Sequence, residues 1–258
     1  MKTAGTEKQN PEPIHLSLVM PVYNACNFIE QNVRMVLNYL ESQSFTSELI
    51  IVDDGSHDDT LQILTLLATE HPMLKIPSNG RNYGKGYSVR HGFEKAQGKY
   101  LIFNDIDLAY PPEEATKILR TLETGCDLAI ACRVLPESRF EISPAFFRYL
   151  YTRHLMGRFF NVIVRAFVLP GILDSQAGLK GFTREAAQKI FSKQTLNRFS
   201  FDVEVLFLAK KYKLKIKQIP VNFRYFFEES TVRFVEDTFQ MLKDLVRIVW
   251  NNWKGIYQ

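Results

Sequence analysis

The sequence predicts an α/β fold, a mostly parallel Rossmann-like sheet flanked by helices in a single domain. Three observations lead there. Compact apolar runs alternate with stretches whose apolar residues recur at helical spacing, the rhythm of repeated strand, turn and helix units. The runs end in turn-forming residues such as Asn24, Asp53-Asp54-Gly55-Ser56 and the loop Asn82 to Gly86. At 258 residues the chain is long enough for one sizeable core, and no second domain is needed to account for it.

Taken in order, Leu16 to Val22 reads as the first strand, and Phe28, Ile29, Val33, Val36, Leu37 and Leu40 mark one face of the helix after it. Glu48 to Val52 is the second strand, followed by a helix carrying Leu61, Ile63, Leu64, Leu67 and Ala68. Met73 to Pro77 reads as a short strand, and the loop Asn82 to Gly86 leads to a helix from Val89 to Ala96 and a strand at Tyr100 to Phe103. Pro111-Pro112 opens a helix to about Glu123, since proline is tolerated in a first helical turn. Asp127 to Cys132 is the next strand. Beyond it, Asp174 to Phe182 is expected to be strand-like, Arg184 to Phe191 and Phe201 to Lys211 helical, Leu214 to Val221 a strand, and Phe234 to Trp253 a closing amphipathic helix.

A formal net charge of +4, without runs of Lys or Arg, argues against a nucleic-acid partner. Cys26, Cys126 and Cys132 are odd in number and lack metal-ligand spacing, which suits a reducing compartment and reads as three small buried hydrophobes. Residues 1–13 are polar and proline-containing, so they read as a flexible tail without the apolar core of a secretory signal. Charged residues interrupt every apolar stretch before it reaches the roughly 20 residues that span a bilayer. A lipid partner would therefore be met from the cytoplasmic face, as a peripheral protein.

Asp105 and Asp107 follow the strand Tyr100 to Phe103, and their spacing of two puts both carboxylates on one side of the chain. Two anionic oxygen ligands make half a site for Mg²⁺ or Mn²⁺, whose remaining ligands are commonly phosphate oxygens and water. Alone, the pair reads more readily as a solvated acidic turn, and the motifs that accompany it reverse that. Asp53 and Asp54 also end a strand, where carboxylates accept hydrogen bonds from a base or ribose; Ser56 and Asp58 suit the capping of the helix that follows. The loop Asn82-Tyr83-Gly84-Lys85-Gly86 joins two glycines, which permit close backbone approach, to a lysine that meets phosphate as a point charge.

In order and spacing, Val19-Met20-Pro21-Val22-Tyr23-Asn24, Ile51-Val52-Asp53-Asp54-Gly55-Ser56, Asn82-x-Gly84-Lys85-Gly86 and Asp105-x-Asp107-x-x-x-Pro111-Pro112-Glu113 resemble the family 2 glycosyltransferases. Asp174-Ser175-Gln176-Ala177-Gly178-Leu179-Lys180-Gly181-Phe182-Thr183-Arg184 and Phe201-Asp202-Val203-Glu204 resemble its branch acting on dolichyl or polyprenyl phosphate, especially the glucosyltransferases. The resemblance spans about residues 16 to 222. It implies a GT-A type domain over 14–258, with 14–132 binding a nucleotide-sugar donor, 133–222 the acceptor, and 223–258 forming the amphipathic C-terminal helix. It implies UDP-glucose as donor, a polyprenyl phosphate as acceptor, and inversion. Pro21, Tyr23, Asn24, Asp53, Asp54, Lys85, Asp105 and Gln176 would face the donor, and Asp105 and Asp107 the metal. Arg133 and Arg153 would hold the acceptor phosphate, and Asp107, Arg133 and Asp202 would serve the chemistry. Two positions depart from the pattern: Ala25 stands where many lipid-phosphate members carry Glu, and Ala109 where mannosyl-type members often carry Gln.

Between Glu141 and Asp174 there is no acidic residue, yet Arg148, Arg153, Arg158 and Arg165 recur among aromatic and aliphatic residues. That composition suits helices lying on a membrane surface. The bland reading is a pair of core helices with exposed arginines. A family member acting on a hydroxyl acceptor, with Asp202 as base, is the competing enzyme reading. A non-catalytic membrane-surface binder is the competing reading of another kind, against which the Asp105, Asp107, Lys85 and Arg133 set speaks.

Overall fold

The computed structural model describes residues 12–142, 161–225 and 234–258. A seven-stranded sheet of order β3-β2-β1-β4-β7-β5-β8 forms its centre. The strands are β1 (Leu16–Val22), β2 (Ser47–Asp53), β3 (Leu74–Lys75), β4 (Tyr100–Phe103), β5 (Leu128–Ala131), β7 (Lys180–Thr183) and β8 (Ile216–Ile219). Four of the six pairings in this sheet are parallel, and the two exceptions belong to β7, which runs antiparallel to both β4 and β5. Two reversals restore the direction, so β5 and β8 end on the same edge as β1, β2 and β4. The chain runs outward from β1 to β3, then crosses to β4 on the other side, and that reversal is the switch point where such sheets bind ligands.

The pleat sends alternate side chains to opposite faces. In β2, Leu49 and Ile51 join one core with α1 (Ile29–Glu41), α2 (Thr60–Glu70) and α4 (Pro112–Glu123). Ile50 and Val52 join a second core with α3 (Lys85–Lys95), the helical residues 161–167 (α5), α6 (Arg184–Phe191), α7 (Phe201–Lys211) and α8 (Phe234–Trp253). Strands buried on both faces are why these runs are continuously apolar rather than alternating.

Several expectations are corrected. Residues 174–179 are irregular, and the strand there begins only at Lys180. Met73 to Pro77 contributes only the two-residue β3. Helix α3 starts at Lys85 rather than Val89, because Gly84 takes φ of 101° and its carbonyl accepts Ser88 N–H, closing a first turn. A second, parallel pair joins β6 (Arg139–Ile142) with β9 (Asn222–Tyr225), two strands absent from the elements read in the sequence. Of the cysteines only Cys132 is buried; Cys26 and Cys126 are half-buried. Arg148, Arg153 and Arg158, with most of the stretch read as interfacial, lie outside the described residues. Among the described residues no helix is long and apolar enough to cross a membrane.

Candidate active site

The carboxyl ends of β1, β2 and β4 bring three loops together. After β1, Asn24 adopts φ of 50°, a left-handed conformation asparagine tolerates better than most residues. Its N–H donates to Ser56 Oγ at 2.9 Å, and its Oδ1 accepts from His57 N–H at 2.8 Å. The next two amides follow suit: Ala25 N–H donates to Thr60 Oγ1 and Cys26 N–H to Asp58 Oδ2. The first two turns are thereby stitched together, with Tyr23 edge-on to His57 and Pro21 half-buried beside them.

Asp53 and Asp54 are both buried, and both carboxylates already have protein donors. Asp53 accepts from Gly55 N–H, Ser56 N–H and Ser78 Oγ. Asp54 accepts from Asn79 Nδ2 and Tyr83 N–H on Oδ1 and from Gly84 N–H at 2.7 Å on Oδ2. Asp54 thus holds the loop that delivers Lys85 to the first turn of α3, where exposed amides and the helix dipole add positive potential. That bracing is a use of Asp54 which strand-end position alone does not disclose.

Lys85 Nζ lies 2.6 Å from Asp105 Oδ1. Burial pulls the lysine down, but Asp105, Asp202 and Asp107 outweigh it and raise its pKa. Asp107 is reachable by solvent yet crowded by protein at longer range. Burial first, and then the charge of Asp105, push its carboxyl up to about 6 against the hydrogen bond it accepts from Ala109 N–H. Leu108 beside it takes φ of 53°, an uncommon conformation for a branched residue and a mark of a loop shaped by its surroundings. Gly178 closes the other side, since a Cβ there would overlap Asp105 Oδ2.

Asp202 lies at the start of α7, buried, with Oδ1 2.5 Å from Lys180 Nζ. Lys180 is wholly buried, also donates to Ala177 O, and faces the Phe103 ring that Lys85 approaches too. The motif around Lys180 assigns this residue no role; a lone lysine amid Leu179, Gly181 and Phe182 is the signal of a buried ion pair. Glu204, two residues on, accepts from Thr195 and Leu196 amides and from Tyr257 OH, which makes it a clamp on the chain.

Arg133 follows β5 on the same edge. Its Nε and Nη2 donate to Asp174 Oδ2 and Oδ1 at 2.7 and 2.9 Å, and its own N–H donates to Oδ2. This two-pronged grip fixes the guanidinium plane, which lies over Phe223. Gln176 is half-buried on the irregular stretch between Asp174 and Gly178. The structure thus gathers Lys85, Asp105, Asp107 and Asp202 into one charged cluster, with Arg133 held nearby on the edge. Arg153 is outside the described residues.

A mostly parallel sheet with paired carboxylates and a lysine-bearing helix start at its switch point defines a GT-A type α/β domain. The chain belongs to glycosyl transferase family 2, whose sequence profile matches residues 17–191. It is 31% identical over 263 residues to dolichyl-phosphate beta-glucosyltransferase of Dictyostelium discoideum, covering 98% of this chain and 79% of that protein. The human protein of that name is 33% identical over 244 residues, covering 90% of this chain and 74% of its own length. In three dimensions the chain resembles glucosyl-3-phosphoglycerate synthase from Mycobacterium tuberculosis, crystallised with Mn²⁺, uridine diphosphate and glucosyl-3-phosphoglycerate. The TM-score is 0.62 at 19% identity, covering 92% of this chain and 78% of that one. At that identity the likeness speaks to the fold alone.

Proposed function

We propose that the protein transfers glucose from UDP-glucose to a polyprenyl phosphate of the dolichyl type, with inversion at the anomeric carbon and with Mg²⁺ or Mn²⁺ bound. The observation that carries this reading is the cluster of Lys85, Asp105, Asp107 and Asp202 at the switch point, in a chain about 30% identical to dolichyl-phosphate beta-glucosyltransferases. A beta product from an alpha-linked nucleotide sugar is what inversion gives.

The metal fits the residues present. Among the described residues no three His, Cys, Asp or Glu side chains stand together to hold a metal alone. Asp105 and Asp107 supply two hard oxygen ligands, and a cation that keeps water and takes diphosphate oxygens needs no more from the protein. When bound, the cation neutralises charge on the departing diphosphate.

The protein's own residues do the rest. Lys85, at the start of α3, gives positive charge where the diphosphate develops negative charge. The loops braced by Asp53 and Asp54, with Pro21, Tyr23 and Asn24, shape the donor pocket. Asp202, oriented by Lys180, accepts from a donor-sugar hydroxyl, and Gln176 serves the donor as well. Arg133, its plane fixed by Asp174, grips the acceptor phosphate, with Arg153 as a second cation. A phosphate monoester has a second pKa of about 6, so the nucleophile is largely anionic at neutral pH and needs no strong base. The enzyme then works from the cytoplasmic face of the membrane that holds its acceptor.

The test is a panel of radiolabelled nucleotide sugars offered with polyprenyl phosphate, with Mg²⁺ or Mn²⁺ or with chelator. Label from UDP-glucose should enter the organic phase only with metal. Label retained in a water-soluble saccharide or polyol would instead support the hydroxyl-acceptor reading with Asp202 as base, and full turnover by Asp107→Ala in chelator would remove the metal from the scheme.

A further inference from the structure

Helices α5 and α8 are apolar on two sides. Val164, Leu245 and Ile248 point inward and join the second core. On the outward side Val162, Phe167, Val246, Val249, Trp250 and Trp253 are exposed, Phe167 by 80% and Trp253 by 76%. Several of them line a wholly apolar groove of about 630 Å³ between the two helices. Isolated exposed hydrophobes are ordinary, but a contiguous apolar face marks an interaction site.

Charge decides what covers it. Over residues 161–167 and from Gln240 to Gln258, every exposed charged side chain is basic: Arg165, Lys243, Arg247 and Lys254. The one carboxylate there, Asp244, is buried and accepts from Gln240 Nε2. A second copy related by a two-fold axis would set this basic rim against itself. An anionic bilayer meets it with opposite charge. The indoles of Trp250 and Trp253 lie 5.3 Å apart, with Lys254 Nζ 5.0 Å from the Trp250 ring, and amphipathic aromatic groups next to cations favour the head-group region.

We propose that the outward face of α5 and α8 is a docking surface for an anionic lipid bilayer. The inference deepens the proposed function, on which it rests for its purpose: it brings the protein to the phase that holds a lipid-linked acceptor. Helix α8 is tied down from its other side, by Asn251 Nδ2 to Thr195 Oγ1 and Lys211 Nζ to Asn252 Oδ1, and the turn after it by Tyr257 OH to Glu204 Oε1. Its outward side chains can therefore be replaced while the helix stays in place.

The experiment is co-sedimentation of the full chain with phosphatidylcholine vesicles, with and without phosphatidylglycerol, across a range of salt. The parent should bind the anionic vesicles, more weakly as salt rises. Each basic residue near an anionic surface raises partitioning about fivefold, so Arg247→Ala with Lys254→Ala should lower it about 25-fold. Trp250→Ala with Trp253→Ala should abolish the binding that survives high salt. Both variants should keep the parent's thermal midpoint and its calorimetric affinity for UDP. The proposal is overturned if the parent ignores anionic vesicles, if the variants bind like the parent, or if the parent self-associates and the tryptophan variant does not. Transfer to polyprenyl phosphate dispersed in detergent separates the two readings. Transfer without vesicle binding removes the docking surface alone, whereas vesicle binding without transfer to any polyprenyl phosphate removes the function and leaves the surface.

Discussion

Lys85 Nζ and Asp105 Oδ1 stand 2.6 Å apart, joining the start of α3 to the end of β4 across the switch point of the sheet. The pair is preformed, and a bound diphosphate with its cation would divide it, the phosphate taking the lysine and the cation the carboxylate. Lys85→Met removes the phosphate's partner and leaves Asp105 without its counter-charge. UDP affinity measured by calorimetry with Mn²⁺ present should fall by at least about tenfold, in line with the 1.5–3 kcal/mol typical of hydrogen bonds to charged groups. Unchanged affinity would place the diphosphate elsewhere.

Gly178 leaves room for Asp105. A methyl group there would overlap Asp105 Oδ2, so Gly178→Ala must displace the carboxylate or the loop. A misplacement of about 1 Å at a reacting centre costs roughly 100-fold, and kcat/KM should drop by about that factor. Circular dichroism should show the fold retained. Full activity in this variant would mean that Asp105 can shift without consequence.

Lys180 and Asp202 form a buried ion pair, and removing one partner strands the other charge. Lys180→Met should destabilise the protein by about 3–5 kcal/mol in urea unfolding. Adding Asp202→Leu should recover part of that stability without recovering activity. If the double variant is no more stable than the single one, the pair is not the source of the loss.

Asp58 makes stability depend on acid. Burial pushes its carboxyl up, but the hydrogen bonds from Thr60 and Cys26 prevail and hold it at about 2. The unfolded value is about 3.9, so the unfolded chain binds more protons in this range and the contribution is present above about pH 4. It is lost as pH falls from there through about 2. The difference in unfolding free energy between parent and Asp58→Asn should therefore shrink over that window. A difference independent of pH would show that the hydrogen bonds do not hold the carboxylate ionised.

Much of this architecture is local in origin, and local origin is what a sequence displays. Helices α6, α7 and α8 have the bounds that apolar spacing and turn residues imply, and β1 and β4 likewise, because a strand's or a helix's period is written in neighbouring residues. The pairing of Asp105 with Asp107 at the end of an apolar run was legible for the same reason. Other features needed partners far along the chain. Nothing near Lys180 announces that β7 will insert antiparallel between β4 and β5, since both strands that it pairs with lie far from it along the chain. The bonds of Lys180 to Asp202, Arg133 to Asp174 and Asp54 to Gly84 close over separations of 22, 41 and 30 residues. The sequence by itself determined which residues could carry charge at strand ends. Only the tertiary structure decided which of those charges are spent on holding loops and which face the open site, because a buried charge is stable only beside the partner that folding brings to it.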